Sequence, residues 1–265
     1  MDMHIRFEKY HGTGNDFIMI DGRGSDFKIP EADVIASLCD RRFGIGADGL
    51  IIIEPSKNHD FVMRYYNSDG HEGTMCGNGG RCAVAYCSKL EMIGPSTSFE
   101  AIDGIHRATV DESGIIHLEM NDVSDIQEIS GHFELDTGSP HYVKFVENVE
   151  KIDVFRQGSE IRYNAPFEKE GINVNFVTET SESLFVRTYE RGVENETWSC
   201  GTGVVASALS AAFRSLSDKK SLAVETRGGM LEVSFERTGY NQFEKIVLSG
   251  PAAFVFKGEY ELPSA

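Results

Sequence analysis

One short motif occurs twice in this chain, and its repetition limits the folds available. Met75-Cys76-Gly77-Asn78-Gly79-Gly80-Arg81-Cys82 leads into a helix-like run over residues 83–93, and Ser199-Cys200-Gly201-Thr202-Gly203 leads into a second over residues 204–216. In each copy a cysteine stands just before a glycine-rich entry to a helix. The first-turn N–H groups there have no intrahelical partner, and the helix dipole adds partial positive charge, so the thiolate is favoured. The same N–H groups can hold a carboxylate. The flanking residues repeat as well. Arg64-Tyr65-Tyr66-Asn67 precedes the first cysteine, Arg187-Thr188-Tyr189-Glu190 precedes the second, and Glu72 and Glu196 each lie four residues before their cysteine. Two copies of strand, loop, Cys-Gly-x-Gly and helix mark an internal duplication. The expected geometry is a pseudo-two-fold, with the two cysteines facing each other across one cleft.

A chain of 265 residues accommodates one large domain or two ordinary ones, and the duplication favours two. A net charge of −17 argues against a nucleic-acid or anionic-membrane surface but leaves room for a small anionic substrate, which responds to local groups. The start of the chain reads as a charged strand rather than a secretory leader, and no apolar run reaches membrane-spanning length. Five cysteines are an odd number without framework spacing, which predicts reduced thiols and a cytoplasmic protein.

Alternating apolar residues predict strands over 5–11, 17–20, 50–53, 61–66, 98–110, 115–120, 172–177, 184–189, 222–226, 230–236, 245–249 and 252–256. Helices are expected over 31–41, after Pro30, and within 149–163. Gly12-Thr13-Gly14-Asn15 is a turn whose Asn most simply hydrogen-bonds its own backbone. In the 172–177 strand one face is expected in the core, with Asn173 or Asn175 on the other. Cys39, Cys82 and Cys87 read as packing residues and Arg81 as structural. The polar stretch 121–126 is the expected boundary between residues 1–121, joined by a returning strand in 251–265, and residues 122–250.

The cysteine pair narrows the chemistry. A thiol hydrolase needs one nucleophile, not two. A dithiol redox centre wants Cys-x-x-Cys, and a zinc site wants paired ligand spacing, so no metal is expected. Racemisation or epimerisation at a Cα does use two similar groups: one base removes the proton from one face, and a protonated partner returns one to the other. There is no clear Schiff-base lysine for a pyridoxal mechanism. The helix N-termini can instead stabilise the charge that develops on the substrate carboxylate.

GTGNDF at 12–17, NSDGHEGTMCGNGGRC at 67–82, TGSPH at 137–141 and YERGVENETWSCGTG at 189–203 together resemble diaminopimelate epimerases, over nearly the whole chain. The resemblance implies an α/β (α+β) fold of two pseudo-symmetric domains, each a mostly antiparallel β-roll wrapped around a central helix. It implies a cofactor-independent isomerase of lysine and peptidoglycan precursor biosynthesis that interconverts LL- and meso-diaminopimelate, usually as a homodimer. It places the acid/base pair at Cys76 and Cys200, with His141 and Glu190 tuning the thiols. Substrate contacts fall on Asn15, Asn67, Gly77, Asn78, Asn173, Glu190, Arg191, Gly201 and Thr202.

The sequence departs from the family pattern at two positions. Some members carry Gln where this chain has Gly49, and many carry Asn where it has Ser139. The shorter Ser139 is expected to reach substrate through water or not at all. The competing readings are a proline or hydroxyproline racemase, which shares opposed cysteines, a thiol hydrolase using Cys200 with His141, and a non-catalytic binder of a dicarboxylic amino acid.

Overall fold

The computed structural model describes residues 4–24, 27–215 and 219–261. Residues 1–3, the expected helix end at 216 and the last four residues of 251–265 lie outside them. The described residues form two compact units. One is built from residues up to Leu118 together with those from Pro251 onward, and the other is Glu119–Gly250.

In chain order the first unit holds β1 (His4–Gly12), β2 (Asn15–Asp21), α1 (Ala32–Cys39), β3 (Gly49–Glu54), β4 (Phe61–Asn67), α2 (Gly77–Lys89), β5 (Ser96–Ala101), β6 (Gly104–Val110) and β7 (Ile116–Glu119). β1 and β2 form an antiparallel hairpin, β2 and β3 run parallel, β3 and β4 are antiparallel, and β4 and β5 are parallel. β6 and β7 follow as antiparallel neighbours. Each parallel pair is joined through a helix, as a parallel connection requires. β2 and β3 are covered on both faces. Ile18, Ile20, Leu50 and Ile52 pack with Ile35 and Leu38 of α1, whereas Phe17 and Ile51 face Gly79 of α2. This two-sided burial explains the unbroken apolar reading of 50–53.

The second unit holds β8 (Ile126–Ile129), β9 (His132–Asp136), β10 (Pro140–Phe145), a 3-10 turn at Val149–Lys151, α3 (Val154–Arg162), β11 (Asn173–Glu179), β12 (Ser183–Glu190), β13 (Asn195–Thr197), α4 (Gly201–Ser215), β14 (Ser221–Thr226), β15 (Gly229–Arg237) and β16 (Phe243–Gly250). The last strand, β17 (Ala253–Glu261), pairs antiparallel with β1 and so belongs to the first unit. It is longer than the expected 252–256.

The duplication is visible in the pairing. From β17 through β1 to β7, neighbours run antiparallel, antiparallel, parallel, antiparallel, parallel, antiparallel, antiparallel. From β8 to β16, with β13 an added short strand on β12, the series is the same. α4 is buried on nearly every side, with Val204, Val205, Ala208, Leu209 and Ala212 packed among Val143, Val177, Val186, Val224 and Leu248. A helix apolar all round belongs in a core.

Three local expectations need correction. Helix α2 starts at Gly77 rather than residue 83. Gly79 and Gly80 are poor helix formers, but a Cβ on Gly80 would lie 2.9 Å from Met75 Sδ and one on Gly79 3.2 Å from Ile51 Cδ1. Packing therefore outweighs propensity here. The 149–163 segment is a 3-10 turn and a helix separated by Asp153, whose side chain accepts from Arg156 N at 3.1 Å. Asn173 and Asn175 both lie buried, because β11 packs α3 on one face and α4 on the other.

Candidate active site

Cys76 is the N-cap of α2. Its backbone is extended (φ −93°, ψ 129°), and its carbonyl accepts the first helical bond from Gly80 N at 2.7 Å. Cys200 holds the same place on α4, with its carbonyl accepting from Val204 N at 2.9 Å. Both sulfurs therefore sit at the end of a helix whose first N–H groups are uncommitted to the helix itself. The other cysteines differ. Cys39, Cys82 and Cys87 are buried, and burial pushes their thiols up, that of Cys39 to about 12. They are packing residues, as the sequence suggested.

The ground around Cys76 is built from β1, β2 and α2. Cys76 Sγ lies 3.7 Å from Asn15 Oδ1, and Asn78 Nδ2 donates to the same oxygen at 3.3 Å. Asn15 Nδ2 donates to Asp48 Oδ2 at 2.7 Å. A carboxylate only accepts when ionised, so Asp48 fixes which end of the Asn15 amide faces the thiol. Asp48 is held by Arg41 NH2 at 2.6 Å, and Arg41 also forks onto Asp16. Lys9, almost fully buried, pairs with Asp16 at 2.8 Å and donates to the Gly46 carbonyl. Burial would raise the Asp16 carboxyl, but hydrogen bonds from Arg41 and Lys9 hold it well below the usual range. Asn15 is thus no self-bonded turn residue; it joins Cys76 to an ion network whose Lys9 end is buried and whose Arg41 end is open to solvent.

Arg81 is fully buried. It donates to Gly77 O at 3.1 Å, Thr13 Oγ1 at 3.1 Å and Asn78 Oδ1 at 3.0 Å. It thereby ties the first turn of α2 to the β1–β2 turn. Gly12 allows that approach, since a Cβ there would lie 2.8 Å from Asn78 O.

In the second unit Cys200 is buried, with Thr202 Oγ1 at 3.5 Å. Thr137 Oγ1 donates to Thr202 O at 3.0 Å and steadies the turn. Asn173 donates to Ser139 Oγ at 2.9 Å and to Pro140 O at 3.1 Å, and accepts from Arg191 N at 2.9 Å. Arg191 reaches Ser139 Oγ at 3.3 Å and Glu170 O at 3.0 Å. Ser139 therefore organises Asn173 and Arg191, a role the sequence reading missed. The signal was its place beside Pro140, one residue before His141. His141 is fully buried, and burial, reinforced by the nearby Arg191 charge, lowers its imidazole to about 3. Glu190 ends β12, where its carbonyl accepts from Glu194 N at 2.8 Å.

The two copies use equivalent frames with different side chains. Tyr66 pairs with Leu50 and Tyr189 with Val174. The registers therefore match Asn67 with Glu190, Gly49 with Asn173, and Phe17 with His141. The repeated Arg–Glu pair survives in both. Arg64 reaches Glu72 at 3.2 Å, and Arg187 forks onto Glu196 with both bonds 2.7 Å. Each pair pins the loop that delivers its cysteine. At Gly49 a Cβ would lie 2.6 Å from the Tyr65 ring, and Tyr65 OH donates to Asn67 Oδ1 at 2.9 Å. The absent side chain at 49 thus leaves room for an aromatic that grips Asn67.

The family model described as diaminopimelate epimerase matches residues 7–124 and 133–255. The chain belongs to the diaminopimelate epimerase family. It is an isomerase whose substrate is a small molecule. The diaminopimelate epimerase of Flavobacterium psychrophilum is 49% identical, over 96% of this chain and 99% of that protein. That of Chlorobaculum tepidum is 42% identical, over 95% and 99%. Among solved structures, a phenazine biosynthesis protein of the PhzF family from Bacillus anthracis superposes with a TM-score of 0.71 at 17% identity, covering 98% of this chain and 99% of that one. A hydroxyproline epimerase from Agrobacterium vitis superposes with 0.69 at 12% identity, covering 98% and 93%. At these identities the likeness concerns the fold alone, which this chain shares with both proteins. The proline or hydroxyproline reading is not favoured. Among the described residues, no helix is long and apolar enough to cross a membrane.

Proposed function

We propose that this protein interconverts LL- and meso-diaminopimelate by a two-base mechanism at Cys76 and Cys200, without a cofactor. The observation that carries the reading is the equivalent placement of both cysteines as N-caps of the central helices in two units of identical strand order. One thiolate takes the α-proton. The C–H electron pair moves into the substrate carboxylate, where the helix N–H groups of Gly77, Asn78, Gly201 and Thr202 stabilise it. The other thiol gives its proton to the opposite face. One proton leaves and one arrives, so the two sulfurs end with exchanged protonation states, ready for the reverse reaction. Both roles need a thiol that can be ionised or protonated near neutral pH, and the helix N-terminus favours the ionised form.

Asn15, Asn67, Asn173, Glu190 and Arg191 bind the rest of the substrate, whose distal end carries a second amino acid group. Neutral amides and one guanidinium fit its carboxylate and ammonium. An analogue lacking either group leaves polar partners unpaired. Homodimeric assembly and a cytoplasmic setting follow from the family reading, and the charge of −17 fits a small-molecule partner rather than a nucleic acid.

The test is deuterium incorporation from solvent at the α-carbon of LL-diaminopimelate, with wild type, Cys76→Ala and Cys200→Ala. Exchange with loss of stereochemistry in wild type, and no epimerisation by either variant, is the expected result. Exchange only with proline or hydroxyproline would move the substrate, and no exchange with any amino acid would overturn the reading.

A further inference from the structure

Asn175 has no place among the substrate-contacting residues of the proposed function, yet both ends of its amide are hydrogen-bonded. It is fully buried on β11, on the face that looks at the N-terminus of α4. Its Nδ2 lies 3.1 Å from the Tyr142 backbone carbonyl and 3.1 Å from His141 Nδ1, and its Oδ1 lies 2.9 Å from Thr188 Oγ1. Only one orientation satisfies this set. A backbone carbonyl can only accept, so the amide nitrogen faces Tyr142. The same NH2 group then donates to His141 Nδ1, which must be the bare nitrogen of the ring. The Thr188 hydroxyl donates to the remaining amide oxygen.

The proton of the neutral imidazole is thereby placed on Nε2. That atom is buried and has no hydrogen-bond partner among the described residues. A buried, unmatched donor is costly unless something arrives to accept from it. Arg191 is the charged neighbour and cannot accept. Gly203 keeps the arrangement intact, since a Cβ there would meet Asn175 Oδ1 at 2.3 Å.

We propose that Asn175 is a positioning residue that locks His141 in its neutral Nε2–H tautomer, so that His141 serves the site as a hydrogen-bond donor to an anion rather than as a base. The anion is a thiolate or a substrate carboxylate, which share the chemistry of a charged acceptor. The assignment rests on the proposed function only in naming those acceptors. The tautomer itself is independent of it.

Long-range proton–nitrogen NMR on protein carrying 15N-histidine reads the tautomer directly, with the His141 signals identified among the eight histidines by their loss in His141→Gln. Wild type should show a protonated Nε2 and a bare Nδ1, unchanged across about pH 5 to 8. A bare Nε2, or an imidazolium forming within that window, overturns the proposal without any variant. Asn175→Asp places an acceptor against Nδ1. It should move the proton to Nδ1 or charge the ring, and lower kcat on the order of tenfold or more, as wrong-tautomer variants do. An unchanged tautomer in a folded Asn175→Asp protein overturns the positioning role. Wild type should also respond at Nε2–H to diaminopimelate if the acceptor is a carboxylate, or to capping of the thiols with iodoacetamide, which removes the thiolate without adding a carboxylate, if it is a thiolate. Response to neither rules out the donor role. Inactivity towards diaminopimelate with the expected tautomer would instead count against the substrate reading alone.

Discussion

At the scale of single residues, the site depends on amides whose orientation is set by a neighbour. Asp48 orients Asn15, Tyr65 orients Asn67, and Ser139 with the Arg191 backbone orients Asn173. Tyr65→Phe keeps the ring over Gly49 but removes the hydroxyl that donates to Asn67 Oδ1, leaving the amide with the 3.5 Å bond from its Nδ2 to the His71 carbonyl. Loss of a hydrogen bond worth ~0.5–1.5 kcal/mol should raise KM several-fold with little change in kcat, measured by steady-state epimerisation. An unchanged KM would remove Tyr65 from substrate recognition. His141 makes a second prediction. Its imidazole falls from 6.5 to about 3 on folding, so between those values the unfolded chain binds the proton first. The stability it confers is complete above about pH 6.5 and is lost as pH falls towards 3, at up to ~1.4 kcal/mol per pH unit. Urea unfolding of wild type and His141→Gln should differ by an amount that shrinks across that window. Carboxylates common to both proteins cancel in the difference.

At the scale of elements, the two cysteine-led helices and the strands that feed them were legible in the sequence, because cysteine, glycine and alternating apolar residues leave local marks, but the glycines hid the first helical turns. The two cysteines, the three packing thiols and the structural Arg81 could be read from their neighbours in the chain. The buried amides could not. Asn175 alternates with Val174 and Phe176 in a pattern that looks like a half-exposed strand, and only the second helix layer shows that both faces are covered. Ser139 and Tyr65 were also invisible, since their partners lie 34 and 52 residues away in one case, and depend on a glycine across the sheet in the other. The glycines at helix starts carry a prediction of their own. Gly203→Ala would drive a methyl into Asn175 Oδ1. Overpacking of this kind costs ~1–3 kcal/mol, and here the strain falls on the group that holds His141. The variant should melt several degrees lower and lose more activity than stability. Wild-type activity in Gly203→Ala would show that the first turn of α4 can shift without disturbing β11.

At the scale of the whole molecule, a two-base mechanism requires both thiols to flank one α-carbon. Two thiols brought that near are also within reach of a disulfide. Treatment with a mild oxidant should therefore abolish epimerisation, with recovery on adding dithiothreitol. Full activity after complete oxidation of Cys76 and Cys200 would contradict the reading. The strand order has a consequence for biosynthesis. The second unit is a single unbroken stretch, Glu119–Gly250, whereas the first includes β17, the final described strand, which pairs with β1 from His4 to His11. On the ribosome the later-encoded unit has all its strands before the earlier-encoded one does. The amino-terminal unit must wait, with β1 an open edge, until residues 253–261 emerge, so a nascent chain stalled before Pro251 carries one finished unit and one with a strand edge open to other chains.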